Sequence, residues 1–322
     1  VFTTDWHVSD QPPGRRTKSY REEILAKVHF AIDYANRIKA VSLCGGDIYH
    51  VKNARNVVAN SHALQTRLEE ELHRAYLGTV FGVHGNHDIW ADRADSIPTQ
   101  PLGALVASGA FTDVSSESVI FENRDGSVRV QVDAYPYDSD DIAALNRVLT
   151  APPREPGVTY RVVLMHQYGD PETNPSLFGH PTISWMKLSE SDYDLALWGH
   201  DHSRVEPTQI GTCTHVRLGS LSRASLASDE VDRPINAAVF AFLPDELQFK
   251  ELPLPAKPLE VAFTRAAIAV EKVHASDGVT EFFEEMDAQV SGIESTNPRS
   301  VVVELCAGDK ELEDCTLELC GL

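Results

Sequence analysis

Apolar residues recur at spacings of three and four between Arg16 and Ala40. Tyr20, Ile24, Leu25, Val28, Ile32, Ala35 and Ile38 then fall on one face, which predicts an amphipathic helix. A second helix is expected over Asn56–Tyr76, with Val57, Leu64, Leu68, Leu72 and Tyr76 along its stripe. Between and after them, the short apolar runs 41–44 and 79–83 read as buried strands. Strand–helix alternation of this kind predicts an α/β layered fold with a central sheet covered on its faces.

The pattern then changes. Val119–Phe121 and Val128–Val132 flank the turn residues Asn123-Arg124-Asp125-Gly126, which predicts a hairpin. Ser139 is the expected N-cap of a helix running through Leu149. Prolines at 152, 153 and 156 break the chain before two further strands, 161–165 and 194–198. Apolar stretches at 215–218, 237–243 and 247–252 complete a strand-rich region, expected to form a second sheet facing the first. Three prolines within 253–258 predict an extended linker after a domain spanning 1–252. The remaining 259–322 are expected to form a small extension, with a helix over 279–290 and a strand over 300–305.

Composition narrows the classes. The chain has 322 residues, 42% hydrophobic and 24% charged, ordinary values for a globular protein. No apolar run is long enough for a transmembrane helix, so no membrane partner is expected. No secretory leader is visible, and residues 1–4 read as the end of a strand begun earlier in the chain. Net charge is −20, with 15 acidic and 5 basic residues from Glu251 onward. That balance excludes a broad basic surface of the kind that neutralises nucleic-acid phosphates, though not a local patch. The five cysteines are sparse and odd in number, as expected of reduced thiols in a cytoplasmic protein. Cys44 is placed in the core; Cys306, Cys315 and Cys320 match no zinc spacing.

Chemistry is concentrated at the ends of the predicted strands. Asp5-Trp6-His7, Gly46-Asp47, Gly85-Asn86-His87-Asp88, His166 and Gly199-His200-Asp201-His202 occur in that order, each after an apolar run. In open α/β sheets, the loops at the carboxyl ends of the strands gather into one crevice. Carboxylate, amide and imidazole ligands there suit Mn, Fe or Zn rather than Ca. Together they are enough for two divalent ions that share a bridge.

The ordered set resembles the calcineurin-like metallophosphoesterase superfamily over about residues 5–202. That resemblance implies a two-sheet α/β sandwich flanked by helices. It assigns one metal to Asp5, His7, Asp47 and His202, and the other to Asp47, Asn86, His166 and His200. Two divalent transition ions are implied, with Mn²⁺ the first expectation and Fe or Zn the alternatives. His87 matches the non-ligand histidine that faces the scissile phosphate, and Asp88 is expected to orient it. The reaction implied is hydrolysis of a phosphodiester by a metal-bridged hydroxide, with His87 stabilising charge or protonating the leaving alkoxide.

Within the superfamily, Gly46–His50, Leu164–Gln167, Leu197–His202 and Leu218–Ser225 are similar to blocks of the SbcD-type nuclease branch, a similarity that reaches about Phe242. That branch implies a nucleic-acid substrate and an ATPase partner. The acidic balance and the short C-terminal part favour instead a small substrate, such as a 2′,3′- or 3′,5′-cyclic nucleotide. A metal-binding scaffold without catalysis is the remote alternative. The stripe of the second helix is compatible with a homo-oligomer seam or with packing on the sheet. Among other residues, His84 is read as structural, His50 as peripheral to the metals, and His180 and His215 as surface or packing groups. Arg15, Arg16, Lys18 and Arg21 form the one dense basic patch, read either as a solvated helix start or as a phosphate contact. Tyr168 and Phe178, in and beside the loop 169–181, are candidate base-stacking groups.

Overall fold

The computed structural model describes residues 1–52, 55–150, 153–171, 182–223, 226, 230 and 232–264. The expected helix at 279–290, the strand at 300–305, Phe178, His180 and the three C-terminal cysteines lie outside the described residues.

Two six-stranded sheets face each other. The first contains β1 (Phe2–Thr3), β2 (Leu43–Cys44), β3 (Val80–Gly82), β4 (Phe111–Asp113), β13 (Asn236–Phe242) and β14 (Leu247–Pro253). Its order is β14-β13-β1-β2-β3-β4, with β1 through β4 parallel. The second contains β5 (Ser118–Glu122), β6 (Arg129–Tyr135), β7 (Tyr160–His166), β10 (Leu195–Gly199), β11 (Val205–Ile210) and β12 (Cys213–Arg217). Its order is β11-β12-β10-β7-β6-β5, with β12, β10, β7 and β6 parallel. A small parallel ladder joins β8 (Gly169–Asp170) to β9 (Ile183–Ser184).

The period-two alternation of the strands sorts their side chains into layers. Val162, Leu164, Leu195 and Leu197 point inward, packing with Phe2 and Val83 between the sheets. Val163, Met165, Ala196 and Trp198 point outward, against Tyr193 and the short helix α5 (Trp185–Leu188). On the outer face of the first sheet, α1 (Tyr20–Ile38), α2 (His62–His73) and α3 (Pro101–Ser108) bury Ile24, Val28, Leu64, Leu68, Leu72 and Leu105.

The strands β13 and β14, expected in the second sheet, extend the first beside β1. Several boundaries also differ from the sequence reading. Helix α2 begins late: Asn56 Oδ1 accepts from Ala59 N at 3.2 Å, and Ser61 Oγ caps the helix from Leu64 N at 3.1 Å. Val57 is consequently exposed rather than part of the stripe. In α4 (Asp141–Leu149) the N-cap is Asp140, whose side chain accepts from Ala143 N at 2.9 Å, in place of Ser139. The proline-rich segment is not a free linker. Leu254 is buried and donates from its backbone to Ile235, and the short helix α6 (Leu259–Ala262) packs back near the chain start. Ala262 accepts from Thr17 N and from Arg16 Nε, so the first compact unit runs to Thr264. The trailing unit is Arg265–Leu322. Among the described residues, no helix is long and apolar enough to cross a membrane.

Candidate metal centre

The four parallel strands of each sheet end on a common rim, and the motif residues lie there. Asp5 and His7 follow β1, Asp47 follows β2, and Asn86, His87 and Asp88 follow β3. His166 closes β7, and His200 and His202 follow β10. The turns after β1, β2 and β10 are sharp. Asp5, His7, Asp47 and His200 have φ of 51°, 50°, 51° and 84°, the left-handed region that side chains other than glycine rarely adopt. Gly85 lets the third motif come close: a Cβ there would lie 2.1 Å from Asp47 Oδ1.

Two groups of candidate ligands share Asp47. The donor atoms of Asp5, His7, Asp47 and His202 lie within 4.8 Å of one another, as do those of Asp47, His166 and His200. Asp47 belongs to both. Its Oδ2 is 3.6 Å from His7 Nε2, and its Oδ1 is 3.4 Å from His166 Nε2. Asn86 joins the second group, its Oδ1 3.4 Å from His166 Nε2. Each group is oriented from behind. His166 Nδ1 donates to the carbonyl of Gly45 at 2.6 Å, which leaves Nε2 to face Asp47. Asp5 accepts from Thr4 Oγ1 at 2.6 Å and from His200 N at 3.2 Å.

The donor set fits divalent cations. Asp5, His7, Asp47 and His166 are buried, and among the described residues no Lys or Arg forms an ion pair with either carboxylate. Buried carboxylates require compensating positive charge. Without a cation, burial raises the Asp5 carboxyl above its usual range despite His166 and His202. Burial also opposes ionisation of Asp47, but His166 and then His7 and His87 hold it well below that range. His166 is pulled to about 9, because Asp47 and Asp5 outweigh burial. His200 falls to about 3, through burial and the neighbouring His166. In the first group, His7 Nε2 and His202 Nε2 approach to 2.9 Å, and burial keeps His7 neutral. Two imidazole nitrogens at that distance share a proton or direct lone pairs at one cation.

Several side chains sit differently from expectation. Asp88 does not touch the His87 ring. Its carboxylate accepts from Gly85 N at 2.9 Å, Ile48 N at 3.1 Å and Tyr49 N at 3.3 Å, tying the second motif loop to the third. Burial, with the nearby Asp47, raises it to about 6. His87 is held instead through Nδ1, which donates to the carbonyl of His50 at 2.7 Å. His50, read as peripheral, has its ring nitrogen grouped with those of His7 and His87. Its place three residues after Asp47, in the same rim loop, was the available signal. Half of the basic patch is paired: Arg16 is buried against Glu23 at 2.6 Å and Arg21 pairs with Asp10 and Glu22, while Arg15 and Lys18 are exposed.

Elsewhere, His84 pairs with Asp113 at 3.1 Å, and His215 stacks on Trp185 with ring centroids 4.8 Å apart. Tyr168 packs on His200 at 4.0 Å between centroids. Tyr137, not singled out from the sequence, lies 5.2 Å from the same ring. Its position just past β6, another parallel strand ending on the rim, could have identified it.

Comparison with protein families agrees with this arrangement. Residues 1–204 match the calcineurin-like phosphoesterase family. No curated protein matches in sequence. Among solved structures, a hypothetical protein from Thermus thermophilus is similar at 15% identity and a TM-score of 0.45, covering 79% of this chain and 98% of its own. TT1561 of the same organism is similar at 10% identity and a TM-score of 0.41, covering 78% and 96%. The family match spans more than half of the chain and contains all five rim motifs: this chain belongs to the calcineurin-like phosphoesterase family.

Proposed function

We propose that the chain is a metal-dependent phosphodiesterase. The observation that carries this reading is Asp47 facing two ligand groups at once, with His87 beside them, its ring centroid 4.8 Å from that of His7. Asp5, His7, Asp47 and His202 would hold one divalent ion, and Asp47, Asn86, His166 and His200 the other. Such a pair supplies Lewis-acid polarisation of a phosphoryl group and a water acidic enough to ionise near neutral pH.

The protein's own groups do the rest. The His50 carbonyl keeps a proton on His87 Nδ1, so it is the protonated imidazolium that offers a proton to a leaving oxygen, from Nε2. Asp88 holds the loops carrying Asp47 and His87 in register through three backbone N–H groups. Asp47 also accepts from His87 N at 2.8 Å, which couples the acid's position to the bridging carboxylate. A leaving group that needs protonation is the alkoxide of an alkyl ester rather than an activated aryl oxide.

The small-substrate reading draws support from the thinning of the basic patch, since Arg16 and Arg21 are paired with carboxylates, leaving Arg15 and Lys18 exposed. Nucleic-acid cleavage of the SbcD type draws its support from the Leu218–Ser225 block. A Mn²⁺-supplemented panel separates them: bis-aryl phosphates, 2′,3′- and 3′,5′-cyclic nucleotides, and single-stranded and duplex DNA, with Asp47→Asn as the blank. Turnover of cyclic nucleotides without DNA cleavage establishes the small-substrate reading, and the reverse establishes a nuclease. No turnover of any diester removes the proposal.

A further inference from the structure

The Asp5-Trp6-His7 turn carries two ligands on left-handed backbone, a conformation disfavoured for residues other than glycine. Backbone bonds from Asp5 N to Gly46 and from His7 N to Asp47 tie it to the second motif, and further contacts come from outside the ligand set. Tyr20 Oη donates to the carbonyl of His7 at 2.8 Å, in a buried position. Ser220 Oγ donates to the carbonyl of Asp5 at 2.9 Å, and Leu221 N donates to the same oxygen at 3.1 Å. Ser220 N donates in turn to the carbonyl of His202 at 3.2 Å. Ser220 therefore grips, with its two donors, two residues of one ligand group that lie far apart in sequence. The approach is close enough to need Gly219: its φ is 74°, and a Cβ there would meet the His202 carbonyl at 2.3 Å.

The gripping loop is itself anchored by buried charge. Lys27 Nζ donates to the carbonyl of Leu221 at 2.8 Å and pairs with Glu23 at 2.8 Å. Glu23 also pairs with Arg16 at 2.6 Å. Arg233 donates to the carbonyls of Ser220 at 2.7 Å and Ser222 at 3.0 Å. Tyr20, Glu23 and Lys27 lie on one face of α1, at positions where apolar side chains would pack without a desolvation cost. A buried Lys–Glu–Arg chain is a poor source of stability but a good source of a fixed geometry.

We propose that Tyr20 and Ser220 are positioning residues that set the spacing of Asp5, His7 and His202, with the Lys27–Glu23–Arg16 chain as their anchor. The inference rests on the metal-centre reading above and assigns a task to the Leu218–Ser225 block that the ligand set leaves unused.

Calorimetric titration of Mn²⁺ into the metal-free full chain tests it, with thermal unfolding alongside. The wild type is expected to show two binding events. Tyr20→Phe, which removes one oxygen atom, and Ser220→Ala are each expected to weaken one event about 10-fold or more, the range for groups that orient metal ligands. The other event stays as it was, and kcat recovers at excess Mn²⁺. Tyr193→Phe, a buried tyrosine of the second sheet, is expected to bind as the wild type does. Wild-type affinities in both variants overturn the proposal, as does equal weakening of both events. A wild type that binds no Mn²⁺ removes the metal-centre reading itself.

Discussion

His87 Nδ1 donates to the backbone carbonyl of His50 at 2.7 Å. A carbonyl only accepts, so this bond fixes which nitrogen faces the site. If Nε2 delivers a proton to the leaving oxygen, His87→Gln should depend strongly on the substrate. We expect a loss of about 10²–10⁴-fold in kcat on alkyl diesters, and a much smaller one on bis-aryl esters whose leaving groups need no proton. Paired kinetics on the two substrates check this; equal losses would reduce His87 to a binding group.

Asp47→Asn keeps the shape of the bridging residue and removes its charge. With that carboxylate lying between His7 and His166, the variant should bind fewer than two Mn²⁺ and lose at least about 10²-fold in kcat, the scale of removing one preorganised charge-stabilising group. Metal analysis beside kinetics reads both effects. Full metal occupancy in the variant would show that Asp47 does not bridge.

Asp88→Asn should behave differently from His87→Gln. An amide places an N–H against one of the three backbone donors that the carboxylate now satisfies. The expected outcome is a stability loss of about 1–3 kcal/mol and weaker Mn²⁺ binding, with an unchanged ratio of alkyl to aryl turnover. A variant that shifts that ratio as His87→Gln does would restore Asp88 as partner to the His87 ring.

Chelation should destabilise the fold, because Asp5 and Asp47 are buried with imidazoles as their only ion-pair partners among the described residues. Unfolding midpoints should rise with Mn²⁺ concentration, approaching about 2.7 kcal/mol per site at 100 times Kd. A midpoint indifferent to EDTA and Mn²⁺ would remove the cation from the account of stability.

His215 provides a pH prediction away from the metals. Burial in its stack with Trp185 and Trp198 lowers it from 6.5 to about 4. The unfolded chain then binds more protons than the native one between those values, so stability falls as pH drops from 6.5 towards 4. The full effect is on the order of 3 kcal/mol. His215→Gln should flatten that part of the stability profile measured at saturating Mn²⁺; an unchanged slope would show that His215 is not the titrating group.

Much of this architecture was legible because strands alternate with period two and because ligands were read at strand ends. The hairpin of β5 and β6 and the closure of β7 at His166 follow from apolar spacing. What escaped was decided by contacts distant in sequence or by local hydrogen bonds that apolar spacing does not show. Arg16 looks like surface charge until Glu23 and the carbonyl of Ala262 surround it. Asp88 looks like a partner for its neighbour His87, yet a short carboxylate after a sharp turn meets backbone donors first. Helix starts moved to Ser61 and Asp140 because caps respond to local turn geometry that apolar periodicity does not encode.

The two sheets meet at a single rim, and the ligand groups draw on both: Asp5 and Asp47 from one, His166, His200 and His202 from the other. A distance between ligands is therefore also a distance between sheets, set by the layer of Val162, Leu164, Leu195 and Leu197 against Phe2 and Val83. Bound ions would act as a clasp across the mouth of the sandwich. Enlarging or shrinking a residue in that interior layer becomes a way to retune metal preference without replacing any ligand.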